Sequence, residues 1–369
     1  MENNHVTVLE IDLNAIDYNL NYFKSKIKNS TKILAVVKAF GYGSNAVEIA
    51  KHIESKVHYF AVAYLDEGIA LRNAGVKLPI LVLHPLKSNF EKIIKYNLEP
   101  NIYSLDLLQS FIEISKNLNL KNYPIHIKFN TGLNRLGFSK SDISKISTIV
   151  NKQDAIEIIS MFSHIAASED LEERAFTLQQ IDTFKMLSKA LITNLKSTPF
   201  KHMLNTSGII NYANEAQFDM VRLGIGLYGF GNDKQITTTL KNALALKSVI
   251  SQIHTINKGE SVGYNRAYTA TTKIQTATIP IGHADGISRQ LGNGVGYVYI
   301  NNQKAPIVGN VCMDMIMVNV TGINCCEGDE VLIYKNKEHI EDLSNRLNTI
   351  PYELITAISQ RIRRVLKEC

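Results

Sequence analysis

From about residue 7 to residue 235, short apolar runs alternate with longer amphipathic ones, and near residue 240 that rhythm stops. The strand-like pieces are Val8-Leu9-Glu10-Ile11, Ile33–Val37, Tyr59–Ala63, Ile80–Leu83, Ile125–Phe129, Ile158–Phe162 and Met220–Leu223. Helical stripes lie between them. Ile16, Leu20, Phe23 and Ile27 recur at spacings of four and three, with Asp17, Asn21 and Lys24 off the stripe. Ala46, Ile49, Ala50 and Ile53 repeat the pattern. A period of roughly 25–35 residues is that of a βα unit, and eight such units make a barrel of about 250 residues. Doubly wound sheets share this alternation, so periodicity leaves both architectures open. Further on, Ala243–Ile256, Lys273–Ile281, Val295–Ile300 and Val331–Tyr334 read as strands. Gly/Asn turns such as Gly292-Asn293-Gly294 and Asn301-Asn302 separate them, which predicts a β-rich domain. The expected division is an α/β domain over residues 1–238 and a mostly-β domain over 239–369.

With 369 residues the chain exceeds one ordinary core. Its net charge of +6 is spread along the sequence. The largest basic cluster, Arg361, Arg363, Arg364 and Lys367, reads as a solvated helix face rather than a nucleic-acid footprint. No recognisable nucleic-acid motif is present, so no nucleic-acid partner is expected. Nowhere do about 18 apolar residues run together, which predicts no membrane helix. Met1-Glu2-Asn3-Asn4-His5 has neither a basic nor an apolar leader region, so a cytoplasmic protein is expected. Cys312, Cys325, Cys326 and Cys369 form no C-x-x-C pair and stand at no ligand spacing from histidine. Reduced thiols and no metal site follow.

The chemistry gathers at the end of the second apolar run. Ile33-Leu34-Ala35-Val36-Val37 delivers Lys38 to the point where a strand gives way to a loop. Strand ends are where α/β barrels assemble their sites. An amine held in a partly dry pocket can lose its proton and condense with an aldehyde. The stretch from Val36 to Ala39, followed by Gly41-Tyr42-Gly43, resembles the cofactor-lysine motif of alanine racemases, which use pyridoxal 5′-phosphate (PLP). Phe40 stands where that family usually has a polar residue. The resemblance runs from Lys38 almost to the carboxyl end, and it selects the N-terminal TIM (β/α)8 barrel followed by a C-terminal mostly-β domain.

Further motifs carry the likeness. Asp219 to Gly229 resembles the family's Arg-Pro-Gly stretch, with Leu223 in place of the common proline. By resemblance Arg222 meets the pyridine nitrogen. A guanidinium is effectively never deprotonated, so it would keep that nitrogen unprotonated and restrain side reactions. The phosphate is implied to lie among Tyr42, Asn205, Thr206, the backbone at Gly224 and Ile225, and Tyr352. Thr206 replaces the usual serine and keeps the hydroxyl. His164, at the end of Met161-Phe162-Ser163, matches the histidine near the cofactor ring. Lys128 to Gly137 resembles a segment in which Arg135 positions the substrate carboxylate and a carbamylated Lys128 orients Arg135; Asn130 replaces an acid there.

Racemisation needs proton handlers on both faces of a planar carbanion, so Lys38 requires a counterpart. Gly263-Tyr264-Asn265-Arg266 resembles the motif that supplies this tyrosine across a dimer interface. At neutral pH a phenol is ionised to only about one part in a thousand, roughly 4 kcal/mol uphill. A tyrosine base therefore needs help, implied here to come from His164 and nearby arginines. Val311-Cys312-Met313-Asp314 resembles the stretch whose Met313 backbone N–H meets the substrate carboxylate. His283, in Gly282-His283-Ala284-Asp285, stands where the family often has a tyrosine at the substrate entrance.

The resemblance implies interconversion of L- and D-alanine by a homodimer with shared sites, supplying D-alanine for peptidoglycan. A racemase of broader amino-acid preference is the first alternative. A PLP-dependent decarboxylase would need an acidic partner for the pyridine nitrogen, against which Arg222 speaks. A PLP carrier protein would need no second base, against which Tyr264 speaks.

Overall fold

The computed structural model describes residues 6–367; residues 1–5, 368 and 369 lie outside the described residues. Strand β1 (Val8–Asp12) buries Leu9 and Ile11, and Asp12 caps the following helix, Leu13–Lys24, by accepting the Ala15 N–H at 2.8 Å. The helix buries Ile16, Leu20 and Phe23 as their spacing predicts, and Ile27 falls beyond its end.

Eight parallel strands then close into a barrel: β2 (Lys32–Val36), β3 (Tyr59–Val62), β4 (Ile80–Val82), β5 (Glu99–Ile102), β6 (Tyr123–Lys128), β7 (Ile156–Phe162), β8 (Phe200–His202) and β9 (Met220–Leu223). Closure is direct. β2 pairs with β9 through Ile33↔Val221 and Leu34↔Arg222, which decides for the barrel over the doubly wound sheet. β3, β4 and β5 are buried along their whole length, as parallel strands covered by helices must be.

The chain returns as a nine-stranded sheet built from β10 (Leu244–Val249), β11 (Gln252–Ile256), β14 (Ile274–Ile279), β15 (Tyr297–Ile300), β16 (Gln303–Val308), β17 (Ile316–Asn319), β18 (Glu330–Tyr334) and β19 (Arg363–Lys367), with β1 as its ninth member. Between β11 and β14, the ribbon β12 (Ser261–Val262) and β13 (Tyr268–Thr269) is a separate two-stranded sheet.

Two sequence readings need correction. The first apolar run is not a barrel stave: β1 lies between β10, antiparallel to it, and β19, parallel to it. Its place in the barrel is filled by strands that hydropathy passes over. Glu99-Pro100-Asn101-Ile102 and Phe200-Lys201-His202 carry polar side chains toward the interior and so lack an apolar run. The basic cluster is not a solvated helix face either. Arg363 to Lys367 form β19, Arg361 bridges Asp285 at 2.6 Å and Asp314 at 2.7 Å, and Arg364 donates to the Gly43 and Ile358 carbonyls at 2.8 Å. Arg364 therefore ties the last strand to the loop that follows β2. Lys337, 4% exposed, does similar work by donating to the Thr237 and Leu240 carbonyls. Among the described residues no helix is long and apolar enough to cross a membrane.

Because β1 is paired on both sides and Ile11 is fully buried, Ile11→Ala should cost about 2–5 kcal/mol, the usual range for a deleted core side chain. The measurement is the denaturant midpoint at unchanged slope. A loss below about 1 kcal/mol, within what a surface change gives, would show that the sheet forms without its amino-terminal strand.

Candidate active site

At the carboxyl end of β2 the backbone turns left-handed. Ala39, Phe40, Gly41 and Tyr42 all have positive φ, at 53°, 54°, 64° and 53°. Each such non-glycine residue costs roughly 1–2 kcal/mol, so the turn persists only because its surroundings hold it. Gly41 N–H reaches Val37 O and Gly43 N–H reaches Ala39 O, both at 2.9 Å. Glu67 accepts the Ala39 N–H at 2.5 Å and the Ala63 N–H at 2.6 Å. A Cβ on Gly43 would stand 2.1 Å from the Ile355 carbonyl, so only glycine fits where the turn meets the second domain. Lys38 opens this turn, its direction set by backbone strain.

Lys38 projects into a cavity of about 530 Å³ at the carboxyl ends of the barrel strands. Tyr42, Lys128, Arg135, His164, Asn205, Thr206, Arg222, Gly224, Ile225 and Tyr352 line it with Lys38, bringing together all the barrel residues singled out in the sequence and Tyr352 from the second domain. No carboxylate lines it, whereas four cations do. That imbalance governs the electrostatics. The Lys38 amine is pulled below the ordinary lysine range by burial first, then by Arg135, with Arg222 adding to the shift and Glu67 opposing it. Lys128 is pulled down to about 8 by burial, then by Arg135, Arg222 and Lys38. His164 is driven well below its usual value by burial and by Arg222, so its imidazole is neutral. Burial, then Arg135, also lowers Arg222, which stays cationic at neutral pH.

Arg222 is 5% exposed and meets no carboxylate. It donates to the Ser163 carbonyl at 2.7 Å, the Met203 carbonyl at 2.8 Å, His202 Nδ1 at 2.9 Å and His164 Nδ1 at 3.1 Å. Beside it, Asn205, Thr206 and Gly224 gather at one helix start. Thr206 Oγ1 accepts the Gly224 N–H at 3.2 Å and the Gly226 N–H at 3.3 Å. Asn205 caps the helix Thr206–Ala216 through the Gly208 N–H at 2.9 Å. A Cβ on Gly224 would stand 2.5 Å from Tyr42 Oη, so glycine is what lets the phenol approach this backbone. The Tyr42 ring packs on Tyr228 and Tyr352 at centroid distances of 5.1 and 6.0 Å.

The remaining predicted residues lie elsewhere. Tyr264, Cys312, Met313 and Asp314 line a separate depression of about 490 Å³ on the β-rich domain. Tyr264 is 70% exposed and Met313 60% exposed. His283, also exposed, packs its backbone on this set through its N–H to the Cys312 carbonyl at 2.9 Å. Arg361 holds Asp314. Within one chain, then, Lys38 and Tyr264 do not share a cavity. Among the described residues no group of three or more His, Cys, Asp or Glu is gathered as for a metal ion. Sequence reasoning missed Glu67, Arg364 and His202. The first two act through backbone groups and leave no motif; His202 was visible only as the start of the Asn205-Thr206 segment.

Both halves of the chain match one family. The profile for the alanine racemase N-terminal domain matches residues 11–231, and that for the alanine racemase C-terminal domain matches residues 243–366. The chain belongs to the alanine racemase family. An alanine racemase of Fusobacterium nucleatum is 38% identical over 98% of this chain and 99% of its own length. The solved alanine racemase of Clostridium difficile superposes with a TM-score of 0.92 at 35% identity, covering 98% of this chain and 96% of that one. That of Bartonella henselae, solved with covalently bound pyridoxal phosphate, gives 0.88 at 29% identity, covering 98% and 99%. The match spans both cavities, so the alanine racemase family accounts for the barrel site and for the exposed tyrosine set together.

Two outcomes follow for this site. Gly224→Ala should weaken cofactor binding at least tenfold, about 1.4 kcal/mol, in an equilibrium titration; unchanged affinity would take Gly224 out of the expected phosphate site. Lys128 generates a pH effect. Below about 8 both folded and unfolded chains hold its proton, and burial of the charge costs stability. Between about 8 and the ordinary 10.5 only the unfolded chain binds it, so stability rises with pH. In buffer free of carbon dioxide, Lys128→Met should remove a rise on the order of 3 kcal/mol over that window, read by denaturant unfolding at each end.

Proposed function

We propose that this chain interconverts L- and D-alanine, with Lys38 and the Tyr264 of a second copy handling the proton on opposite faces of the substrate. The observation that carries this is the cavity in which a depressed-pKa amine and three further cations meet no carboxylate. PLP fits that deficit: Thr206, Gly224, Ile225, Tyr42 and Tyr352 would hold its phosphate, Arg222 its pyridine nitrogen and Lys38 its aldehyde carbon. When bound, PLP supplies an electron sink that acidifies the substrate Cα. The chain's own residues do the rest. Arg135 binds the carboxylate of alanine, Lys38 holds and moves a proton on the D-facing side, and Arg222, a donor only, keeps the ring nitrogen from becoming a proton store. That last point disfavours the decarboxylase reading, which calls for an acid in that place.

Tyr264 and Met313 stand exposed on the β-rich domain, away from the Lys38 cavity of their own chain. A head-to-tail homodimer would cover them and complete each barrel site with residues of the other copy. At Lys128 the neutral amine, favoured by the nearby guanidinium groups, would combine with carbon dioxide and release a proton. The resulting carbamate turns repulsion from Arg135 into a charge-assisted pairing. Bicarbonate added to the stability measurement above should then stabilise the parent but not Lys128→Met, and should extend the Lys128-dependent rise below about 8.

We place the reaction in the cytoplasm, on free alanine, where D-alanine supplies peptidoglycan precursors; growth of a D-alanine auxotroph carrying this chain tests that role. Tyr264→Phe should lower racemisation by roughly 10²–10⁴-fold, the usual worth of a general acid–base group. Deuterium exchange at Cα of D-alanine should persist, because Lys38 remains. Mixing inactive Lys38→Ala and Tyr264→Phe chains should restore activity, since one site of each mixed dimer is intact. Failure of exchanged mixtures to regain activity would rule out shared sites. A panel of other amino acids in the same exchange assay separates alanine specificity from a broader preference.

A further inference from the structure

The barrel interior holds a polar chain that the proposed reaction does not use. From Arg222 Nη1 it runs to His202 Nδ1 at 2.9 Å, then from His202 Nε2 to Ser160 Oγ at 3.2 Å. It continues from Ser160 Oγ to His126 Nδ1 at 2.5 Å, and from His126 Nε2 to Glu99 Oε2 at 2.8 Å. His126, Ser160 and His202 are each 0% exposed, and Glu99 is 8% exposed. The five residues come from β9, β8, β7, β6 and β5, consecutive staves around one side of the barrel.

Its two ends fix its direction. A guanidinium can only donate and a carboxylate can only accept. His202 Nδ1 must therefore accept from Arg222, which puts the His202 proton on Nε2 and points it at Ser160. The serine hydroxyl then donates to His126 Nδ1, and His126 Nε2–H donates to Glu99. With His126 neutral, every link runs the same way, from cation to anion. Packing holds the members in line: the His202 ring stacks on Phe162 at 4.8 Å with an interplanar angle of 8°, and Tyr59 sits edge-on to His126 at 6.0 Å. Tyr59 also hydrogen-bonds Glu99, and Arg72 faces the same carboxylate.

This chain meets a specific need. A buried charge requires a counter-charge or a full set of hydrogen bonds. Arg222 has carbonyls and imidazoles around it, Arg135 nearby, and no carboxylate in contact. We propose that Glu99 is the remote counter-charge of Arg222, and that His202, Ser160 and His126 are positioning residues that transmit it, fixing the plane in which the guanidinium meets the cofactor ring. Aligned donors polarise one another, so a carboxylate at the far end strengthens the acceptor that Arg222 sees at the near end. Glu99 then acts on the reaction without touching substrate or cofactor.

The test uses Glu99→Gln, which keeps shape and an acceptor but removes the charge, and Ser160→Ala, which cuts the chain in the middle. Nitrogen NMR of the imidazoles in cofactor-free protein reads the tautomers directly. The parent should show His202 and His126 both protonated at Nε2 and bare at Nδ1. Both variants should disturb His202, although only Ser160 touches it. In the holoenzyme both should lower kcat by roughly five- to tenfold, the difference between a charge-assisted and a neutral hydrogen bond, with KM within about twofold. The kinetic arm rests on the racemase reading; the NMR arm does not, so failure of one is distinguishable from failure of the other. A protonated His126 in the parent, donating from both nitrogens, would break the one-way chain and overturn the proposal. So would a Glu99→Gln variant with parental His202 signals and parental kcat.

Discussion

Positive charge without a matching carboxylate, held at the mouth of the barrel, is the condition on which the rest of this site depends. Lys38, Lys128, Arg135 and Arg222 share one cavity, and the groups that keep Arg222 in place are carbonyl and imidazole acceptors, not acids. After burial, Arg135 lowers the proton affinity of Lys38, Lys128 and Arg222, and Arg222 lowers that of both lysines. With burial as the larger cause, these cations move a lysine amine toward its nucleophilic form and keep a histidine neutral. A ligand that brings a phosphate and a carboxylate relieves the repulsion, so the same charge pattern selects the ligand and prepares the nucleophile.

Such a site needs a rigid frame, because like charges would otherwise drift apart. The frame is a seam between the two domains. β1 begins the chain yet belongs to the carboxyl-terminal sheet, paired on one side with β10 and on the other with β19. Arg364 leaves β19 to hold the Gly43 carbonyl, and Glu67 holds the Ala39 N–H at the other end of the left-handed turn. The strained backbone that aims Lys38 is thus gripped by one residue from the barrel and one from the second domain. Correct placement of the nucleophile is inseparable from docking of the domains. That coupling explains why a turn costing several kcal/mol persists.

Tyr264, the proposed second proton handler, follows a different logic. A side chain fixed in the barrel reaches one face of a flat substrate. Tyr264 sits instead in the turn between β12 and β13, with most of its surface exposed beside Met313. In the proposed dimer, catalysis and assembly become one event, since an unpaired chain holds only half of each site.

Legibility divided along physical lines. Lys38, Tyr42, Arg135, His164, Arg222 and Tyr264 sit in short motifs that resemble those of one family, so a linear reading picks them out. Helical stripes such as Ala46, Ile49, Ala50 and Ile53 were readable because burial on one face imposes a period. β5 and β8 escaped because barrel strands can point polar groups inward when other strands satisfy them, and Glu99 and His202 do so. The left-handed turn escaped because Ala39 and Phe40 carry no preference for it; external contacts impose it. The assignment of β1 to the second domain escaped because an apolar run encodes burial and not its partner. By itself, then, the order of residues determined which elements form and which functional groups are available, since both depend on local periodicity and side-chain chemistry. Only the tertiary structure decided which groups meet: the clustering of four cations, the relay through the barrel and the separation of Lys38 from Tyr264 arise from contacts between residues far apart along the chain.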